Sequence, residues 1–294
     1  MLCAASAPRK DSVRDIAAHL ARALLNASPV DRGRRFAASR LFPFLRHDAC
    51  RVAKVSDELD PDLRMLLKLD EYPEYMLWML PDFDADLLSA CRPYIPKGGI
   101  CVDAGANVGH WSLVFSRFVG PAGRVYAFEP FPDFFGRLGQ NVALNNLSNV
   151  ETIQSALSDE NGSIEFDGAA CHLAWAKDAS EGPKIRIPCV TLSDFVQQHE
   201  LPRLDFVKMD IEGAELLALR GMDPLFKKGW RPALCLELHE VLCQGLGYST
   251  VDIKKYLAGW GYTGWILHRG RRLSMDKDAT HELTNALFLP ATSA

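Results

Sequence analysis

The chain has no Cys-x-x-Cys pair, no long apolar run and little excess of either charge. Its eight cysteines, Cys3, Cys50, Cys91, Cys101, Cys171, Cys189, Cys235 and Cys243, are scattered over 294 residues. That density is too low for a disulfide scaffold, and without a close cysteine pair neither a zinc ribbon nor a redox dithiol is expected. Cys101 and Cys235 lie inside apolar runs, where a thiol behaves as a small buried hydrophobe. A reducing, cytoplasmic setting is the expectation that follows. No stretch approaches the roughly 18 uninterrupted apolar residues that span a bilayer. Met1 to Lys10 is too short and too soon charged for a secretory leader. A net charge of −4 provides no bulk attraction to nucleic acid or to an anionic membrane, so a small-molecule partner is expected and nucleic acid is not.

What is present is an ordinary globular composition, 48% hydrophobic and 24% charged, with enough length to bury a sizeable core. Two regions differ in pattern. In residues 1–95, Val13, Ile16, Ala17, Leu20 and Leu24 recur at helical spacing. A basic stretch follows, with Arg32, Arg34, Arg35 and Arg40 around Phe36. A solvated helix face accounts for it most simply; contact with an anionic substrate or a membrane surface is the alternative. Leu63 to Leu80 is again helical in pattern. The region as a whole is expected to form a helical cap that can also mediate homo-oligomerisation.

Residues 96–294 alternate short apolar runs with helical patterns, the signature of βαβ crossovers and a doubly wound, mainly parallel α/β sheet. Strands are expected at 100–104, 124–129, 150–157, 204–209 and 233–238, with a terminal pair at 262–268 and 286–290. Shorter strands at 163–166 and 184–190 flank an insert, Asp167 to Pro183, which contains His172, Trp175 and Lys177. Helices are expected at 111–118, 134–145, 191–198, 213–227 and 251–260.

Ligands of such sheets bind beyond the carboxyl ends of the strands. The first strand ends in Asp103-Ala104-Gly105-Ala106-Asn107-Val108-Gly109. Gly105 and Gly109 allow a tight turn and close approach to a ligand, and Asp103 can receive a donor such as an ammonium group. This is not G-x-G-x-x-G, because Asn107 stands in place of the second glycine; a ligand-free structural turn remains the plain alternative. The second strand ends in Glu129-Pro130, with Glu129 lying 24 residues after Gly105. A carboxylate there can accept hydrogen bonds from both ribose hydroxyls of an adenosine ligand. At the third strand end, the small Ser155 and Ala156 leave room for an adenine ring.

The fourth strand runs into Asp210-Ile211-Glu212-Gly213-Ala214-Glu215 and the fifth into Glu237-Leu238-His239. Capping explains one of the first three acids, but Asp210 and Glu212 together repel unless they bind something. Alternation puts Glu237 and His239 on one face, turned towards Asp210. Such a set could deprotonate and place a hydroxyl, hold a divalent cation such as magnesium, or merely fix the strand ends.

Together VDAGANVG, YAFEP, QNVALNN, SALSDENG, VKMDIEGAE and LELH make the chain resemble the FkbM family of S-adenosylmethionine-dependent methyltransferases, over about Gly98 to His239. The resemblance implies a Rossmann-like, seven-stranded sheet and O-methylation of hydroxyls on natural products, saccharides or related small molecules. It implies cofactor contacts from Asp103, Gly105, Asn107, Gly109, Glu129 and the Ser155-Ala156 turn, with Ala106 in the same loop. It also places Asp210 and Glu212 at the methyl-transfer centre. His239 is the preferred base, oriented by Glu237. An NAD or nucleotide-sugar enzyme is the second expectation, weakened by the missing glycine and the lack of a Tyr-x-x-x-Lys pair. A non-catalytic protein with a vestigial pocket is the third.

Overall fold

The computed structural model describes residues 13–27, 33–46, 48–56, 60–167, 184–268, 271–276 and 278–291. Helices α1 (Val13–Ala27) and α2 (Arg34–Leu45) precede a hairpin of β1 (Cys50–Ser56) and β2 (Asp60–Lys68), then α3 (Tyr72–Met79) and α4 (Ala85–Cys91). The alternating part begins with β3 (Ile100–Ala104), α5 (His110–Val119), β4 (Arg124–Phe128), α6 (Pro132–Leu144) and β5 (Val150–Ile153). Next come β6 (Ala156–Leu157), β7 (Gly162–Asp167), β8 (Lys184–Val190), α7 (Leu192–Gln198), β9 (Phe206–Met209), α8 (Glu215–Arg220) and α9 (Asp223–Lys227). The chain closes with β10 (Ala233–Leu238), α10 (Glu240–Gly245), α11 (Thr250–Gly259), β11 (Tyr262–His268), β12 (Arg271–Ser274) and β13 (Thr284–Pro290).

The central sheet has the order β12-β11-β13-β10-β9-β3-β4-β5. Strands β10, β9, β3, β4 and β5 are parallel, and β13 is inserted antiparallel between β10 and β11. This is the expected doubly wound α/β class. It has eight strands among the described residues rather than seven, because β12 adds a short, exposed edge on β11. One apolar core lies between the sheet and α5, α6 and the amino-terminal elements, with Cys101, Phe206, Cys235 and Leu287 turned towards it. The other lies under α7, α8, α9 and α11, with Val102, Val207, Leu234 and Leu236 facing that way. The alternation of strand side chains thus decides which residues meet which layer of helices.

Four sequence expectations change in detail. Residues 63–80 are not one helix: Leu63, Met65, Leu67 and Leu69 are buried at every second position, so the first half is a strand of period two. The amino-terminal extension is therefore helices plus a hairpin. The strand expected at 150–157 divides at Ser155, and β6 leaves for a separate sheet of order β6-β8-β7. The helix expected at 213–227 breaks at Gly221, where an added Cβ would lie 2.2 Å from the Ser158 carbonyl oxygen. The basic stretch is not simply solvated: Arg34 pairs with Asp82, and Arg35 lies 3.8 Å from Asp84 and over the Phe83 ring.

Cys91, Cys101, Cys189, Cys235 and Cys243 are free and buried. Cys50 is disulfide-bonded, which departs from the expectation of reduced thiols throughout. No helix of the described residues is long and apolar enough to cross a membrane. Arg32 and residues 168–183 of the insert, with His172, Trp175 and Lys177, lie outside the described residues.

Candidate active site

The carboxyl ends of β3, β4, β9 and β10 carry the acids singled out in the sequence. Gly105 follows β3 with φ +74°, and a Cβ there would stand 1.8 Å from the Asp210 carbonyl oxygen. Only glycine lets the loop pass so close to the β9 end. Asn107 adopts φ +51° and its side chain accepts the Val108 amide at 2.8 Å, a local bond that supports an uncommon backbone conformation. Gly109, at φ +99°, starts α5.

Glu129 is buried at the tip of β4. Its two oxygens accept the amides of Asn107, at 2.8 Å, and of Phe131, at 3.0 Å. Burial outweighs those bonds and raises its pKa to about 7. The carboxylate therefore ties the loop after β3 to the turn after β4 and keeps lone pairs for a ligand hydroxyl.

Asp103 is fully buried and takes a different part from the one expected. One oxygen accepts the Ser112 hydroxyl at 2.6 Å, and the other lies 3.4 Å from Lys208 Nζ. The ammonium group that Asp103 receives is supplied by the chain itself. Asp103 and Lys208 are side by side in the β3–β9 register, and the same Nζ lies 3.4 Å from Asp210 and donates to the Gly105 carbonyl at 3.2 Å. Burial pulls the lysine's pKa down, but Asp103 and Asp210 outweigh it and hold the proton more tightly than in water. Trp111 lies beside this charge, with Nζ 5.7 Å from its ring centre, and its indole donates to Asp84 at 3.3 Å.

Asp210, Glu212 and Glu237 meet where β9 and β10 end. Glu237 hydrogen-bonds with Asp210, and burial, followed by the Asp210 and Glu212 charges, raises its pKa to about 9. Burial and Asp210 raise Glu212 to about 7 in the same way. Glu212 has φ +54°, a strained conformation at the mouth of the site. Glu215 is the capping acid of the group: one oxygen accepts the Ile211 amide at 3.2 Å and that of Gly213 at 3.3 Å. The structure pairs Glu237 with Asp210 rather than with His239. His239 follows β10, half-buried, and its Nδ1 is buried without a hydrogen-bond partner.

Two further expectations meet their geometry here. The Ser155 hydroxyl donates to the Ala156 and Pro188 carbonyls, so it anchors the small sheet. No group of three or more His, Cys, Asp or Glu among the described residues is disposed to hold a metal ion. Lys208 already faces Asp103 and Asp210, and Glu237 favours its protonated form, so a divalent cation is not assigned to this set. Lys208, Trp111 and Asp84 were not singled out from the sequence. A lysine inside the apolar strand Phe-Val-Lys-Met was the available signal, because a buried charge needs partners.

A parallel sheet with one inserted antiparallel strand, a glycine turn after β3 and an acid at the tip of β4 define an adenosine-cofactor enzyme of the methyltransferase class. The chain belongs to the FkbM methyltransferase domain family, whose model matches residues 103–263. It is similar to Methyltransferase sdnD of Sordaria araneosa, 28% identical over 60% of this chain and 83% of that one. It is also 27% identical to the hexuronic acid methyltransferase AglP of Haloferax volcanii, over 50% of this chain and 60% of the relative. Among solved structures, Methyltransferase FkbM from Methylobacillus flagellatus aligns at TM-score 0.46 and 16% identity, over 87% of this chain and 59% of that one. The protein is a methyltransferase, and its family implies S-adenosylmethionine as methyl donor.

Proposed function

We propose that the chain transfers the methyl group to a hydroxyl oxygen of a small molecule, natural product or saccharide. The observation that carries this is the Asp210–Glu237 pair at strand ends adjoining the Gly105 turn, with His239 two residues further along the chain. That relatives include a hexuronic acid methyltransferase supports a hydroxylated acceptor. The residues suit the donor: Gly105 lets the loop after β3 pass close to the end of β9, and Glu129 at the tip of β4 keeps lone pairs for ribose hydroxyls. When bound, S-adenosylmethionine supplies a methyl group on a good leaving group, so alignment and exclusion of water make up most of catalysis.

The chain's own residues do the rest. Asp210 accepts a hydrogen bond from a second polar group of the acceptor and fixes its direction, leaving the reacting hydroxyl's proton to His239. Glu237 keeps its proton at neutral pH and donates it to Asp210, which holds that carboxylate in one orientation. His239, with a buried nitrogen lacking a partner, takes the proton as the oxygen attacks.

Isothermal titration with S-adenosylmethionine and S-adenosylhomocysteine, beside NAD, tests the donor half. Micromolar binding of the first two, lost in Glu129→Ala, is expected; binding of NAD alone would sink it. For the acceptor half, hexuronic acids and other hydroxylated compounds are screened. Asp210→Ala and His239→Ala are expected to lose turnover by roughly a hundredfold or more while binding the donor normally. Near-normal turnover in both would overturn the assigned roles.

A further inference from the structure

Among the described residues, strand β2 pairs with β1 along one edge only. Along its other edge, the peptide groups of Arg64 and Leu66 are met by two side chains, Asn141 of α6 and Asn145 at its carboxyl cap. Asn145 accepts the Arg64 amide at 2.8 Å and donates to the Arg64 carbonyl at 2.7 Å. Asn141 accepts the Leu66 amide at 2.7 Å and donates to the Leu66 carbonyl at 3.4 Å. Glu74 continues the row by accepting the Lys68 amide at 2.8 Å. The match is geometric: four residues of helix rise about 6 Å, and two residues of strand about 6.8 Å. Asparagines four apart on a helix can therefore imitate a neighbouring strand.

Asn141 makes one bond that Asn145 does not. Its amide also donates to the Val108 carbonyl at 2.8 Å, and the asparagine is fully buried. Val108 follows Asn107, whose amide is held by Glu129. The loop after β3 is thus gripped at consecutive residues, from β4 by Glu129 and from α6 by Asn141. The amide that grips it is the same one that bonds the amino-terminal hairpin.

We propose that Asn141 is a positioning residue for the methyl donor, holding the Val108 carbonyl, and with it the loop after β3, in the place the donor requires. This rests on the donor site assigned above. Without the Asn141 donor, a buried carbonyl is left unpaired and the turn carrying Asn107 can move away from Glu129.

The test titrates S-adenosylhomocysteine into the wild type, Asn141→Leu, Asn141→Asp and Asn145→Leu. Asn141→Asp keeps an acceptor for Leu66 and loses the donor to Val108, so it serves if the leucine variant does not fold. Both Asn141 variants are expected to bind about tenfold more weakly. Asn145→Leu, which also breaks the β2 edge, should bind within about twofold of wild type. Hydrogen exchange should quicken in the 105–112 segment of the Asn141 variants alone. Unchanged affinity in the Asn141 variants, or equal weakening in Asn145→Leu, would overturn the proposal. A wild type that binds no S-adenosylhomocysteine would overturn the donor site instead.

Discussion

Glu237 shows how burial and charge set the behaviour of a single residue. Its folded pKa of about 9 lies well above the ordinary value of 4.5. The folded protein thus binds this proton more tightly than the unfolded chain does. Stability from this group is complete below the unfolded value and is lost as pH rises through the folded one. Glu74, Glu129, Glu212 and Glu215, each raised to about 7, act in the same direction. The melting temperature should therefore decline from about pH 5 to about pH 9. Glu237→Gln, which cannot ionise, should make that decline shallower and exceed the wild type at its alkaline end. Scanning fluorimetry across that range checks it, and parallel curves for the two proteins would count against the Asp210–Glu237 bond.

At the scale of elements, glycines and polar side chains decide where helices stop and strands turn. Thr191 caps α7 by accepting the Asp194 amide at 3.0 Å, and Ser249 with Asp252 forms a capping box on α11, both near the ends expected from sequence. Gly221 separates α8 from α9 for a reason lying elsewhere in the chain. Its carbonyl accepts the Ser193 amide and hydroxyl, and its Cα faces the Ser158 carbonyl. Gly221→Ala should cost roughly 2 kcal/mol by forcing these elements apart. Urea denaturation measures this; a variant as stable as wild type would show that the joint between α8 and α9 yields readily.

Over the whole molecule, the amino-terminal elements share a core with the catalytic sheet. Leu63, Met65, Tyr75 and Trp78 belong to the same buried cluster as Val108, Trp111 and Phe115. Ala18 and the partly buried Ala17 and Ala21 turn α1 towards that cluster, while Ile16, Leu20 and Leu24 remain exposed on it. Such a stripe is a candidate for contact with another chain. If the homo-oligomer expected from the sequence forms through it, Leu20→Lys with Leu24→Lys should convert the assembly to monomer in light scattering. A wild type that is already monomeric at high concentration would remove the proposal.

The α/β class, the glycine turn and most of the acids at the strand ends were legible from residue order alone, because periodicity and turn chemistry act over a few residues. The alternation Leu63, Met65, Leu67 was legible too, but a helical template fits the same apolar run until burial separates the two periods. Which partner each charge meets was not legible. Lys208 reaches Asp103, Asp210 and the Gly105 carbonyl only because β9 lies beside β3 in one register. Glu237 finds Asp210 through the adjacent β10, and Asn141 finds both Leu66 and Val108 across the α6 surface. Local sequence determines which segments fold into strands and turns, since backbone sterics and hydrophobic period are short-range. The tertiary structure alone decides which buried charges neutralise one another, since Coulomb and hydrogen-bond energies depend on distances that only packing sets.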